Sequence, residues 1–210
     1  SFYNVLPGEK VKKIALVFRN STGSKQTRPD IFIDVFEQGL NVTFTLPERY
    51  SFVAEPSTEV QLSASATNAD SVSLYVNGKY KKGGKTPDLI TDTVTLDEYG
   101  GYWFRAVAWD LPAFAADSFF VFVRSPLTVE AVPAGMKDGI NYTGNNSVTL
   151  VLHAPYKEYA FAVGDFNDWL ACEEGYMKTT PDRERYWLEI DNLEPGREYR
   201  FQYLVDSGLY

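Results

Sequence analysis

The sequence predicts an all-β chain of consecutive sandwiches, and three observations carry that expectation. Short runs of alternating apolar and polar residues recur along the 210 residues, separated by turn formers at the spacing of sandwich strands. No stretch keeps a three-to-four-residue apolar period for more than two turns, so helix is expected to be nearly absent. Aromatic residues make up 15% of the chain, with 14 Tyr, 14 Phe and 4 Trp, which suits strand cores and flat stacking surfaces alike.

Residues 1–38 hold two expected strands, 11–19 and 31–36, joined across Asn20-Ser21-Thr22-Gly23-Ser24. Ile31, Ile33 and Val35 share one face of the second. Two strands cannot bury a stable core alone, so this block is either a hairpin packed on the next domain or, the favoured expectation, the C-terminal strands of a truncated upstream sandwich. Residues 39–127 form the next block, with strands expected at 41–46, 60–66, 72–76, 91–96, 102–109 and 118–123. In the second of these, Val60, Leu62, Ala64 and Ala66 alternate with Gln61, Ser63 and Ser65, the pattern of a half-buried strand. Asn77-Gly78 marks a tight turn. The run Lys79-Tyr80-Lys81-Lys82-Gly83-Gly84-Lys85 that follows reads as a solvated, glycine-rich loop.

The last block, 128–210, begins with a connector over 132–139 and continues with strands at 148–153, 159–163, 185–190 and 199–205. In the final strand Tyr199, Phe201, Tyr203 and Val205 share one face, and Arg200, Gln202 and Leu204 the other. No closing strand follows before Tyr210, so this sandwich too is expected to be incomplete.

Charge and composition exclude several function classes. Lys and Arg number 20 and Asp and Glu 28, for a net charge of −8, whereas nucleic-acid binding draws on clustered cations. No apolar run reaches the roughly 18 residues of a membrane helix. The first residues, Ser-Phe-Tyr-Asn, show no signal-peptide pattern. A single cysteine, Cys172, rules out an internal disulfide and CxxC chemistry, and one histidine, His153, argues against a multi-histidine zinc site or a Ser-His-Asp triad. No metal site and no cofactor are expected. Hydrolysis of a sugar linkage needs two carboxylates, one with a raised pKa. The candidates Asp165 and Asp168, and the pair Glu173-Glu174, are accounted for by turn chemistry and by solvation. The residues alone therefore describe a chain that binds or supports, without a reactive centre of its own.

Two resemblances sharpen this reading. Glu98-Tyr99-Gly100-Gly101-Tyr102-Trp103-Phe104-Arg105-Ala106 resembles the acidic-x-Gly-x-Tyr-x-Cys-x-Ala run of immunoglobulin F strands, with Tyr102 as the tyrosine corner and Phe104 at the cysteine position, facing Ala64. The fold class this implies is tandem immunoglobulin-like (E-set type) β-sandwiches. In the last block, Gly164-Asp165-Phe166-Asn167-Asp168-Trp169, then Leu193-Glu194-Pro195-Gly196-Arg197-Glu198-Tyr199 and Phe201-Gln202-Tyr203-Leu204-Val205-Asp206, resembles carbohydrate-binding module family 48. That family forms the N-terminal sandwich of isoamylases, branching enzymes and other glycoside hydrolase family 13 proteins. With the immunoglobulin-like block before it, the chain is similar to the accessory region of secreted, Bacteroidetes-type α-amylase-like enzymes.

The resemblance implies an extracytoplasmic bacterial segment that positions a catalytic barrel lying outside this chain. It also implies an α-glucan, starch or glycogen, as the ligand. Trp169 would stack on a glucose ring, Asn167 belongs to the same motif, and Gln202 stands where the family has a lysine; Trp187, expected on the outer face of its strand, is either a second platform or a tryptophan at a domain junction. The usual second tryptophan after the Val-Asp-Gly turn is replaced by Leu209 and Tyr210, which implies weak binding. The residues leave open a different class of function, a non-catalytic immunoglobulin-like surface adhesin. They also leave open whether Trp103 and Trp109, which share a strand face with Arg105 and Val107, are buried or displayed.

Overall fold

The computed structural model describes residues 13–16, 22, 31–34, 39–48, 51–85 and 89–206. Within the N-terminal block, β1 (Lys13–Leu16) pairs antiparallel with β2 (Ile31–Asp34). The rest of the hairpin expected over 1–38, and the turn carrying Leu209 and Tyr210, lie outside the described residues.

The next strands are β3 (Asn41–Leu46), β4 (Ser51–Ala54), β5 (Thr58–Thr67), β6 (Ser71–Val76), β7 (Lys79–Lys85), β8 (Leu89–Leu96), β9 (Gly100–Asp110) and β10 (Ala113–Val123). They form two sheets, ordered β3-β5-β8 and β4-β10-β9-β6-β7. This is the immunoglobulin-type arrangement, in which the first, second and fifth main strands oppose a sheet built on the last two. Alternation decides which side chains meet between the sheets. Val60, Leu62 and Ala64 of β5 and Phe104, Ala106 and Ala108 of β9 all enter one core. Phe104 is fully buried and stacks on Phe119 with centroids 4.7 Å apart, so ring packing fills the space a disulfide would bridge. Two residues earlier, the Tyr102 hydroxyl accepts the backbone N–H of Glu98 at 2.9 Å, which makes the expected tyrosine corner.

The run 79–85 corrects the expectation of a loop. It is the edge strand β7, paired with β6 and exposed at every position. Lysines and glycines make a poor interior strand but a serviceable edge, because charge on an outer strand discourages pairing with other chains. The Asn77-Gly78 turn, with both residues at positive φ, joins the two strands as expected.

The third block contributes β11 (Gly139–Tyr142), β12 (Val148–His153), β13 (Ala160–Gly164), β14 (Lys178–Thr179), β15 (Arg185–Ile190) and β16 (Phe201–Val205). A sheet ordered β11-β12-β15-β14 faces the pair β13-β16. Leu150, Tyr186, Leu188 and Ile190 from the first meet Ala160, Ala162, Phe201, Tyr203 and Val205 from the second. A single turn of 3-10 helix, Glu173–Gly175, is the one helical element among the described residues. β11 falls partly in the expected connector, and it forms because Gly139 to Tyr142 pair with Val151 to Val148.

A third cluster joins the two sandwiches. Phe120 and Phe122 on the outer face of β10 pack with Phe161 and Val163 on the outer face of β13, beside Tyr159 and Tyr176. Phe161 stacks on Tyr176 at 4.7 Å, and Phe122 meets Phe161 edge-on at 5.7 Å. Arg124 lies over the Tyr159 ring and bonds Glu55, closing the rim.

Candidate functional site

The Gly-Asp-Phe-Asn-x-Trp run leaves the end of β13 as a tight loop whose shape its own residues dictate. A Cβ on Gly164 would stand 2.4 Å from the Arg200 carbonyl oxygen, so only glycine lets β16 approach this closely. The Asn167 side chain clamps the loop: its Oδ1 accepts the Gly164 N–H at 2.8 Å and its Nδ2 donates to the Ala162 carbonyl at 2.9 Å. Asn167 thus serves the backbone that aims Trp169. Trp169 N–H donates to the Gly164 carbonyl at 3.0 Å.

Asp168 and Trp169 both adopt left-handed backbone, with φ of 53° and 61°. For a bulky side chain this conformation is a rare outlier, held only where surrounding bonds over-determine it. The result is an indole 44% exposed at the loop tip. Its Nε1–H donates to Asp165 Oδ1 at 2.9 Å, which fixes the ring plane. Asp165 Oδ2 in turn accepts the Arg200 N–H at 2.9 Å, with the guanidinium Nε at 3.4 Å. The Arg200 backbone N–H first, then the indole N–H and the guanidinium, hold the Asp165 carboxyl below the ordinary carboxylate range. A general acid for glycosidic cleavage needs the opposite shift, so Asp165 is an acceptor and not a proton donor at neutral pH.

Beside the indole opens a cleft of about 460 Å³ lined by Asp165, Asp168, Trp169, Arg197, Glu198 and Arg200. A flat aromatic ring ringed by charged donors and acceptors can stack on the C–H face of a sugar while its hydroxyls find charge-assisted hydrogen bonds. Of the four residues singled out in the sequence, Trp169 faces this cleft and Asn167 supports it. Gln202, exposed on the outer face of β16 opposite Val163, does not line it.

Trp187 is a correction. It lies on the outer face of its sheet as its alternation requires, yet it is only 3% exposed. The segment just before the connector runs along β14 there, Glu130 N–H donating to the Thr179 carbonyl, and the Trp187 indole N–H donates to the Glu130 carbonyl at 3.0 Å. Lys178 Nζ covers the ring at 4.4 Å from its centroid. Trp187 therefore anchors the segment that leads into the connector, a junction role, and offers no platform. Arg197 and Arg200 also line the cleft and are not among the residues the sequence singles out, although the alternation sets Arg200 on the same strand face as Gln202.

The Leu-x-Pro-Gly-x-x-Tyr run has a local structural role as well. Tyr199 hydroxyl accepts the Glu194 N–H at 3.0 Å, repeating in this sandwich the corner that Tyr102 makes in the other. Cys172 is half-buried, and burial, followed by the neighbouring Glu174, pushes its thiol up to about 11, leaving it unreactive at neutral pH.

No family model matches the chain, and no curated protein matches it. Among solved structures, the chain is similar to the fibronectin(III)-like modules of Clostridium thermocellum CbhA, at 21% identity over 40% of this chain and 95% of that one, with a TM-score of 0.33. Bacteroides uniformis β-glucuronidase 3 is similar at 10% identity over 80% of this chain, with a TM-score of 0.33; the match spans 25% of that enzyme. A chimeric titin Z1Z2 tandem is similar at 12% identity over 80% of this chain and 92% of that one, with a TM-score of 0.32.

Proposed function

We propose that the chain is a non-catalytic accessory segment of an exported bacterial α-amylase-type glycoside hydrolase. In this reading it holds a catalytic barrel in place and contacts α-glucan weakly through Trp169. The observation that carries the proposal is the indole itself: a tryptophan held at φ of 61° by two bonds, backbone N–H to Gly164 and indole N–H to Asp165, exposed, and bordered by charged groups that sugar hydroxyls can use. Strain of this kind persists only where the surrounding structure over-determines it, and such residues cluster at ligand clamps and active sites. The single platform accords with weak binding, since the second candidate, Trp187, is buried.

Calorimetry or affinity electrophoresis with maltoheptaose and β-cyclodextrin, comparing the wild type with Trp169→Ala, tests the ligand. Binding that weakens about tenfold or more in the variant is the expected result, because an aromatic platform contributes on the order of 1 kcal/mol or more. Absent binding, or binding indifferent to the change, rejects Trp169 as a glucan platform.

A further inference from the structure

The outer face of the β7-β6-β9-β10 sheet carries aromatic side chains that neither core uses. Cross-strand register places Trp103, Arg105, Val107 and Trp109 of β9 beside Phe120, Ser118, Ala116 and Phe114 of β10, and Tyr75 and Ser73 of β6 beside Arg105 and Val107. Trp103 is 48% exposed and tilts against Phe120 at 5.1 Å; Phe114 is 57% exposed and tilts against Trp109 at 5.3 Å. Six residues of strand rise set the two indoles about 20 Å apart on one face. Between them lies a trough of about 660 Å³ with buried Val107 in its floor.

Charge identifies the occupant. The chain as a whole is acidic, yet the residues that register assigns to this face of the four strands include no carboxylate, while Arg105 and Lys85 stand on it. Arg105 is exposed and has no ion-pair partner among the described residues. An unpaired guanidinium among aromatic plates and hydroxyls suits a carboxylate-bearing ligand, which it can grip through two parallel hydrogen bonds. The apolar plates are separated by Arg105, Ser73 and Ser118, so no continuous greasy stripe exists for an amphipathic helix. A sugar chain alternates flat C–H faces with polar edges, and this face offers that alternation. We propose that the trough between Trp103 and Trp109 docks an acidic oligosaccharide, a short chain of sugars bearing carboxylates. This site is separate from the Trp169 cleft and does not rest on the reading given for it.

The test is calorimetry on the full chain with an oligogalacturonate as probe and maltoheptaose as the neutral comparison. Binding of oligogalacturonate is expected to weaken about tenfold in Arg105→Gln and about tenfold in Trp109→Ala, and to be unchanged in Trp169→Ala. Circular dichroism checks each fold, and Phe114→Ala, at a more exposed position, replaces Trp109→Ala if that variant unfolds. Three outcomes overturn the proposal: no binding of the acidic probe, binding that ignores Arg105→Gln, or equal binding of maltoheptaose through the same residues. A concentration-dependent dimer that Trp109→Ala abolishes would assign the face to a second copy and overturn it as well.

Discussion

Replacing Phe122 with alanine probes the joint between the two sandwiches directly. The ring is 2% exposed, meets Phe161 edge-on at 5.7 Å and Tyr176 at 6.3 Å, and belongs to a cluster drawn from both halves. Its loss leaves a cavity that neither sheet can collapse to fill, since β10 is held by β9 along its length. Phenylalanine-to-alanine changes in such sites cost about 3–5 kcal/mol. In a chain of this size each kcal/mol shifts the melting temperature by roughly 2–4 °C, so a fall of about 6–20 °C is expected. The assay is thermal unfolding followed by circular dichroism, with Phe114→Ala as the exposed control expected to stay within about 0.5 kcal/mol of the wild type. A Phe122→Ala protein melting within about 2 °C of the wild type would refute the packing argument and with it the coupling of the two sandwiches.

Three further outcomes follow from the site and its supports. Gly164→Ala is expected to destabilise by about 1–3 kcal/mol, read by urea unfolding, because its methyl group would meet the Arg200 carbonyl and the Phe201 Cβ. Tyr199→Phe removes the hydroxyl that caps the Glu194 N–H and should cost about 1 kcal/mol in the same measurement. The Asp165 carboxyl is held below its ordinary value of 3.8, so its contribution is fully present above that pH and is lost as pH falls through the lowered folded value. Melting temperature is therefore expected to drop more steeply below about pH 4 in the wild type than in Asp165→Asn, and equal slopes would contradict the bond network.

Much of this architecture could be read from residue order, and the exceptions have physical reasons. The alternation in β5, β9 and β16 placed the correct side chains in the cores because one buried face imposes a period of two. Tyr102 was legible as a corner because its hydroxyl partner lies four residues upstream in the same chain. The edge strand β7 was not legible, since lysine and glycine carry no core pattern and its pairing is dictated by the neighbouring β6. Trp187 was left open between platform and junction for a related reason: period two states which face a side chain takes, but not whether another segment covers that face. The same ambiguity applied to Trp103, which nothing covers to the same degree. At the Trp169 loop the motif residues were visible, whereas much of the charged border came from Arg197, Glu198 and Arg200 in the segment that leads into β16.

The shared ring cluster also decides how this polypeptide can be dissected. Phe120 and Phe122 sit on one body and Phe161 and Val163 on the other, all nearly sealed from water. A fragment ending near residue 127, or starting there, would bare a contiguous oily patch, the kind of surface that makes isolated pieces stick to one another. Biochemical work on either half is therefore best done with its neighbour attached, and grafting one half elsewhere would require polar replacements at those four positions.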